Sequence, residues 1–161
     1  MFKIGDLAVY PTQGVGVIEA IEAKEVSGEQ LNFYILRIVD SDMTIMIPVS
    51  NANLVGMRGL IDKERIASVY DILEERRING TAVASWSRRQ REYNEKIKSG
   101  DLFEVAEVLR ELYQIREDKE LSYGEKKVLE LARKLLIKEI ALAEGTKEEQ
   151  IAERVEKIFF H

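Results

Sequence analysis

The segment Ser85-Trp86-Ser87-Arg88-Arg89-Gln90-Arg91-Glu92-Tyr93 combines residue types suited to one kind of chemistry. Trp86 is the only tryptophan in the chain. Arg88, Arg89 and Arg91 follow it at once, and Lys96 and Lys98 lie further on. A guanidinium offers a planar fork of donors that matches the oxygens of a phosphate. Ser85 is suited to cap a helix running to Ser99, and a first helical turn adds free N–H groups and a positive dipole end. An apolar wedge flanked by arginines enters the minor groove of duplex DNA and unstacks a base step. A structural reading of the same residues is also open: Trp86 plugs the end of a helix bundle and the arginines are solvated.

No other segment offers reaction chemistry. The 161 residues include no cysteine, which excludes disulfides, thiolate catalysis and cysteine-held metals. The one histidine is His161, the last residue, so a His-based triad or a multi-His metal site is excluded. There is no Walker A motif and no GxGxxG; Gly14-Val15-Gly16 lies inside a β-run with no helix to follow. The carboxylate pairs Glu74-Glu75 and Glu148-Glu149 fall at solvent-facing helix ends, whereas acid–base work needs burial and shifted pKa values. The expectation is a non-enzymatic protein with no cofactor, no metal and no small-molecule substrate. The formal net charge of −5 means that any contact with DNA must come from a local basic patch. No apolar run reaches the roughly 20 residues of a membrane span. The start MFKIGDLAVYP lacks a signal-peptide core, so a cytoplasmic protein is expected.

The elements that must hold this segment change period near residue 60. Residues 1–58 read as strands: Leu7 to Tyr10, a turn at Pro11 to Gly14, and Val15 to Val26 with Gly16 as a bulge or bend. A hairpin at Ser27-Gly28-Glu29 leads to Leu31–Val39, and Asp40-Ser41-Asp42 turns into Met43–Ile47. Pro48 ends that strand, and Asn53–Met57 suggests a short fifth one. Short strands joined by tight turns predict a Tudor/SH3-like antiparallel β domain.

Residues 59–161 read as an all-α helix bundle, which makes the whole chain α+β. Asp62 opens a helix with Ile66, Val69, Tyr70 and Leu73 on one face. Glu74–Ala84, with Asn79-Gly80, reads as a flexible loop. Asp101 with Glu104, Ser122 with Glu125, and Thr146 with Glu149 read as capping boxes, two of them behind the stop glycines Gly100 and Gly145. The helices they open carry Val105, Val108, Leu109 and Leu112; then Val128, Leu131, Leu135 and Leu142; then Ile151, Val155 and Ile158.

With these elements laid out, the chain resembles the CarD/CdnL family of bacterial RNA polymerase-binding transcription regulators. The resemblance covers essentially the whole length. It rests on Phe2 to Asp6 through Val9-Tyr10-Pro11, the Gly14 turn, Gly28-Glu29-Gln30, Pro48, and Asn51 to Gly56. It continues through Trp86-Ser87-Arg88-Arg89, Ser99-Gly100-Asp101, Val105 to Val108, Leu121 to Lys126 and Leu142 to Glu144.

The resemblance implies that residues 1–58 bind the protrusion lobe of the RNA polymerase β subunit. It implies that the helical domain reaches promoter duplex DNA at the upstream edge of the melted bubble, so that the protein is nucleoid-associated through the polymerase. Trp86 would be the minor-groove wedge, stabilising the open complex, and Arg88, Arg89 and Arg91 would hold the flanking backbone. The family's polymerase-binding basic positions fall on Lys24 and Met46. Lys24 keeps the charge; Met46 departs from the arginine of some relatives and leaves more of the contact to apolar packing or edge-strand pairing.

Overall fold

The computed structural model describes residues 1–75 and 86–160. Two compact units divide the chain, Met1–Leu60 and Ile61–His161.

In the first unit four strands form one antiparallel sheet in the order β1-β2-β3-β4: Leu7–Tyr10, Gly14–Val26, Glu29–Ile38 and Thr44–Pro48. The long β2–β3 hairpin is closed by Ser27 and Gly28, between the paired Val26 and Glu29. Both loop residues have positive φ, 51° and 83°, as a two-residue hairpin matched to strand twist requires. One face of the sheet buries Ala8, Ile18, Tyr34, Leu36, Ile38 and Ile47. Gly16 lies where a Cβ would stand 2.7 Å from Leu36 Cγ, so its place is a close approach between strands. The bulge expected near Gly16 falls instead between Ile18 and Ala20.

The expected fifth strand does not form. A 3-10 turn over Val49–Asn51 leads into local bonds, Val55 N to Asn51 O and Met57 N to Ala52 O, which consume the groups a ladder would use. A single bridge remains, between Val9 and Arg58.

In the second unit the described residues form α1 (Lys63–Glu74), α2 (Trp86–Lys98), α3 (Leu102–Asp118), α4 (Tyr123–Glu144) and α5 (Glu148–Phe159). Their shared core takes Ile66, Val69, Tyr70 and Leu73 from α1, Val105, Val108, Leu109 and Leu112 from α3, and Ile151 and Val155 from α5. Along α4 the deepest residues are Ala132, Leu136 and Ile140, while Leu131 and Leu135 are only half-buried. Of the apolar face expected from Val128, Leu131, Leu135 and Leu142, Val128 is in the core, and the other three lie about one residue off the deepest line.

The caps divide in the same way. Ser122 and Glu125 form the full reciprocal box. Asp101 caps α3 by accepting from Phe103 N at 2.9 Å rather than from the amide of Glu104. Asp62 takes the cap position of α1 without a side-chain bond. Thr146 does not cap α5, whose cap position is Lys147. Its amide donates to Ala141 O at 3.0 Å while Gly145 adopts φ 70°, so Thr146 is engaged in ending α4. The expected Ser85 cap, most of the expected loop 74–84 with its Asn79-Gly80 turn, and His161 lie outside the described residues.

Candidate nucleic-acid interface

Helix α2 is amphipathic in an unusual way, because its buried stripe is Arg89, Tyr93 and Ile97. The spacing of four puts these residues on one face. Arg88 and Arg91 fall outside that stripe and are exposed. Arg89 therefore departs from the expectation that it holds DNA beside them. It is 5% exposed, and its Nη1 donates to Glu125 Oε2 at 3.0 Å. Arg88 lies one turn from Glu92, with Nε 3.7 Å from Oε1, a loose surface pair.

Trp86 stands at the first described turn of α2, half-buried and packed against the helical core. Its ring is tilted 53° to that of Tyr93, with centroids 6.2 Å apart. The Arg89 Cζ lies 5.3 Å from the Trp86 ring centroid. The Cζ2–Nε1 edge of the indole rests on Gly124, where a Cβ would come within 3.1 Å of Cζ2 and 3.2 Å of Nε1. Gly124 and Glu125 both belong to the first turn of α4. Tyr123, the residue before them, is exposed, with Lys127 Nζ 4.9 Å from its ring centroid.

Glu125 is 2% exposed and joins the two helix starts. Its Oε1 accepts from Ser122 N at 2.9 Å, and its Oε2 takes the Arg89 bond. Burial alone would raise its pKa, but bonds from the Ser122 amide and hydroxyl and from Arg89 bring it below the usual carboxylate range. Arg89 is opposed by burial in the same way, and Tyr93 and Glu125 more than offset it, so its pKa is raised. Burial and the neighbouring Glu111 push the Tyr93 hydroxyl up to about 12, against the lowering effect of Arg89. That hydroxyl is enclosed, with Arg89 and Glu111 as its charged neighbours.

In the first unit, Lys24 on β2 is exposed, with Nζ 3.9 Å from Glu22 Oε2. Met46 on the edge strand β4 is 46% exposed. Lys24 pairs with Leu31 and Met46 pairs with Ile35 on β3. Leu31 and Ile35 are four residues apart on one strand, so all four side chains share a face. It is the face opposite the one that buries Tyr34 and Leu36. Half-buried Phe33 lies between them on the same side. The outer face thus carries an apolar strip bordered by a lysine.

Sequence reasoning missed Gly124 and Glu125 as neighbours of Trp86, and missed the inward turn of Arg89. The second was readable: Arg89, Tyr93 and Ile97 recur every four residues. The first was not, because it joins positions about 40 apart in the chain.

The chain thus joins a small β unit with an apolar outer strip to a helical unit with a tryptophan among arginines. Comparison identifies its class. Residues 2–61 match the CarD-like/TRCF RID domain, and residues 68–156 match the CarD C-terminal domain. The chain is 37% identical over 151 residues to "Putative transcription factor YdeB" of Bacillus subtilis (strain 168), covering 94% of this chain and 97% of that protein. Among solved structures it is similar to CdnLNt from Myxococcus xanthus: 49% identity, 39% of this chain, 89% of that chain and a TM-score of 0.34. The N-terminal domain of Myxococcus xanthus CarD aligns at 36% identity, over 37% of this chain and 79% of that one, with a TM-score of 0.33. The chain belongs to the CarD/CdnL family and is a transcription regulator associated with RNA polymerase. No helix among the described residues is long and apolar enough to cross a membrane.

Proposed function

We propose that the protein docks on the protrusion lobe of the RNA polymerase β subunit through residues 1–58. Its helical unit then stabilises the promoter open complex by wedging Trp86 into the minor groove at the upstream edge of the bubble. The observation that carries the DNA half is the half-buried Trp86, backed by Gly124, with Arg88 and Arg91 exposed on the same helix. A ligand shifts an equilibrium only by its differential affinity for the two states. A wedge that favours unstacked bases prefers melted DNA by construction, and a tenfold shift needs only about 1.4 kcal/mol. Tethering to polymerase raises the local concentration, so an acidic protein with weak DNA affinity suffices. Arg88 and Arg91 contact backbone phosphate in this reading, and Arg89 acts inside the protein. Lys24 and Met46, on the outer face of the sheet, are the proposed polymerase contacts.

The packing of Trp86 against the helical core favours a second reading, in which the ring is a structural plug. Open-complex lifetime with polymerase holoenzyme, taken together with thermal melting, separates the two. Base–aromatic stacking is worth about 1–3 kcal/mol, so as a wedge Trp86→Ala shortens the lifetime about fivefold or more and leaves the protein folded. As a plug it costs about 3–5 kcal/mol of stability and all functions fall together.

A further inference from the structure

We propose that Gly124, Arg89 and Glu125 form a seat that holds the Trp86 indole in one orientation before DNA arrives. They are positioning residues for the wedge; the inference rests on the DNA reading of Trp86 given above. The indole is held at two points. One edge lies on the bare backbone of Gly124, and the Arg89 guanidinium carbon sits 5.3 Å from the ring centroid. Arg89 is itself fixed by Glu125 at 3.0 Å, and Glu125 by the amide of Ser122 at 2.9 Å. A chain of contacts therefore runs from the start of α4 to the ring.

Ordering a side chain on binding costs free energy, and a ring already held in place avoids that cost. Gly124 is informative because nothing in its backbone calls for glycine: it lies in a helix and has no positive φ. Glycine loses more backbone freedom on ordering than alanine does. What glycine provides here is clearance for the indole.

Trp86 is the only tryptophan, so intrinsic emission and acrylamide quenching of the free protein report on the seat directly. Gly124→Ala keeps the ion pair and adds one methyl against the ring. The expected result is altered quenching and an open-complex lifetime shortened about two- to fivefold, part of the full stacking contact, with little change in melting temperature. A role confined to structure would move lifetime and melting temperature together. Unaltered quenching, or altered quenching with an unaltered lifetime, overturns the proposal.

Glu125→Gln keeps an oxygen for the Ser122 amide but turns a neutral group toward Arg89; it is expected to red-shift the emission and shorten the lifetime. Ser122→Ala removes the cap hydroxyl and spares the pair, and is expected to do neither. Equal effects of these two would make the cause helix capping and sink the seat. If Trp86→Ala itself leaves the lifetime unchanged, the DNA reading fails, while the quenching data still decide whether the ring is held.

Discussion

The β unit and the helical unit solve the burial of charge in opposite ways. In residues 1–60 every buried side chain is apolar apart from the tyrosine hydroxyl, and the principal ion pairs, Arg37 with Glu19 and Asp42, lie at the surface. In the helical unit the described residues bury Arg89, Arg110, Glu111, Glu125 and Glu139. Four of these charges work at helix ends; the fifth, Glu111, neighbours Tyr93. Glu125 spans the starts of α2 and α4, Arg110 binds Glu75 and Ile72 O at the end of α1, and Glu139 accepts from Ile61 N just before α1. A sheet satisfies its backbone through its own ladder. A helix leaves unsatisfied groups at both ends, and a bundle that brings those ends together has to supply partners for them. The β unit thus owes its shape to strand pairing and apolar packing, whereas the helical unit owes the relation between its helices partly to a few charged bonds.

The largest expected effect tests that dependence. Glu125→Ala leaves Arg89 buried without its carboxylate and removes half of a capping box. It should cost about 3–5 kcal/mol, read by chemical denaturation of the helical unit. A cost under about 1 kcal/mol would show that the buried pair is not what holds α2 to α4. The pH dependence has a definite sign. The folded pKa of Glu125 is depressed, so the stability it contributes is present above the unfolded value, near 4.5, and is lost as pH falls through the lowered folded value.

The matching perturbation in the β unit is apolar. Leu36 is fully buried on β3, and Leu36→Ala should cost about 3 kcal/mol through lost burial and the cavity left behind. Melting of a 1–60 fragment with and without the change measures it. A larger response to charge reversal on the surface of this fragment than to Leu36→Ala would break the comparison.

Tyr93 gives a smaller effect at high pH. Its hydroxyl is held up to about 12 against an ordinary 10, so the folded state keeps a proton the unfolded state loses. Stability should fall as pH rises from about 10 to about 12, by about 2–3 kcal/mol in total. Tyr93→Phe should flatten that part of the stability profile. An unchanged slope in the variant would assign the loss to other groups.

The smallest effect is expected at the surface of the sheet. Arg37→Ala should leave the melting temperature of the 1–60 fragment within experimental error, because exposed ion pairs contribute little. Lys24→Glu should likewise leave folding unaltered, yet weaken association with the polymerase β subunit, measured by pull-down with a β fragment. Equal binding by the two proteins would remove Lys24 from the proposed contact.

How far the sequence could be read follows the range of the interaction involved. The Ser27-Gly28 hairpin, the alternation along β3 and the Ser122–Glu125 box are local patterns, set by backbone sterics and neighbours within four residues. They were legible without the fold. So were the family resemblance, from ordered motifs along the whole chain, and the candidate wedge, from the rarity of tryptophan and the arginines beside it. The same local signals failed where two neighbouring elements competed for one residue: Thr146 closes α4 instead of opening α5, and turn bonds replace a strand over Asn53–Met57. What only the tertiary structure decided is what receives the inward-facing arginine, and why its burial is tolerated. Arg88, Arg89 and Arg91 are chemically alike, but Arg89 alone shares a helix face with Tyr93 and Ile97 and meets Glu125, which is 36 residues away in the chain. A buried charge is tolerable only opposite its partner, and that partner is supplied by how α2 and α4 pack, which no local pattern encodes.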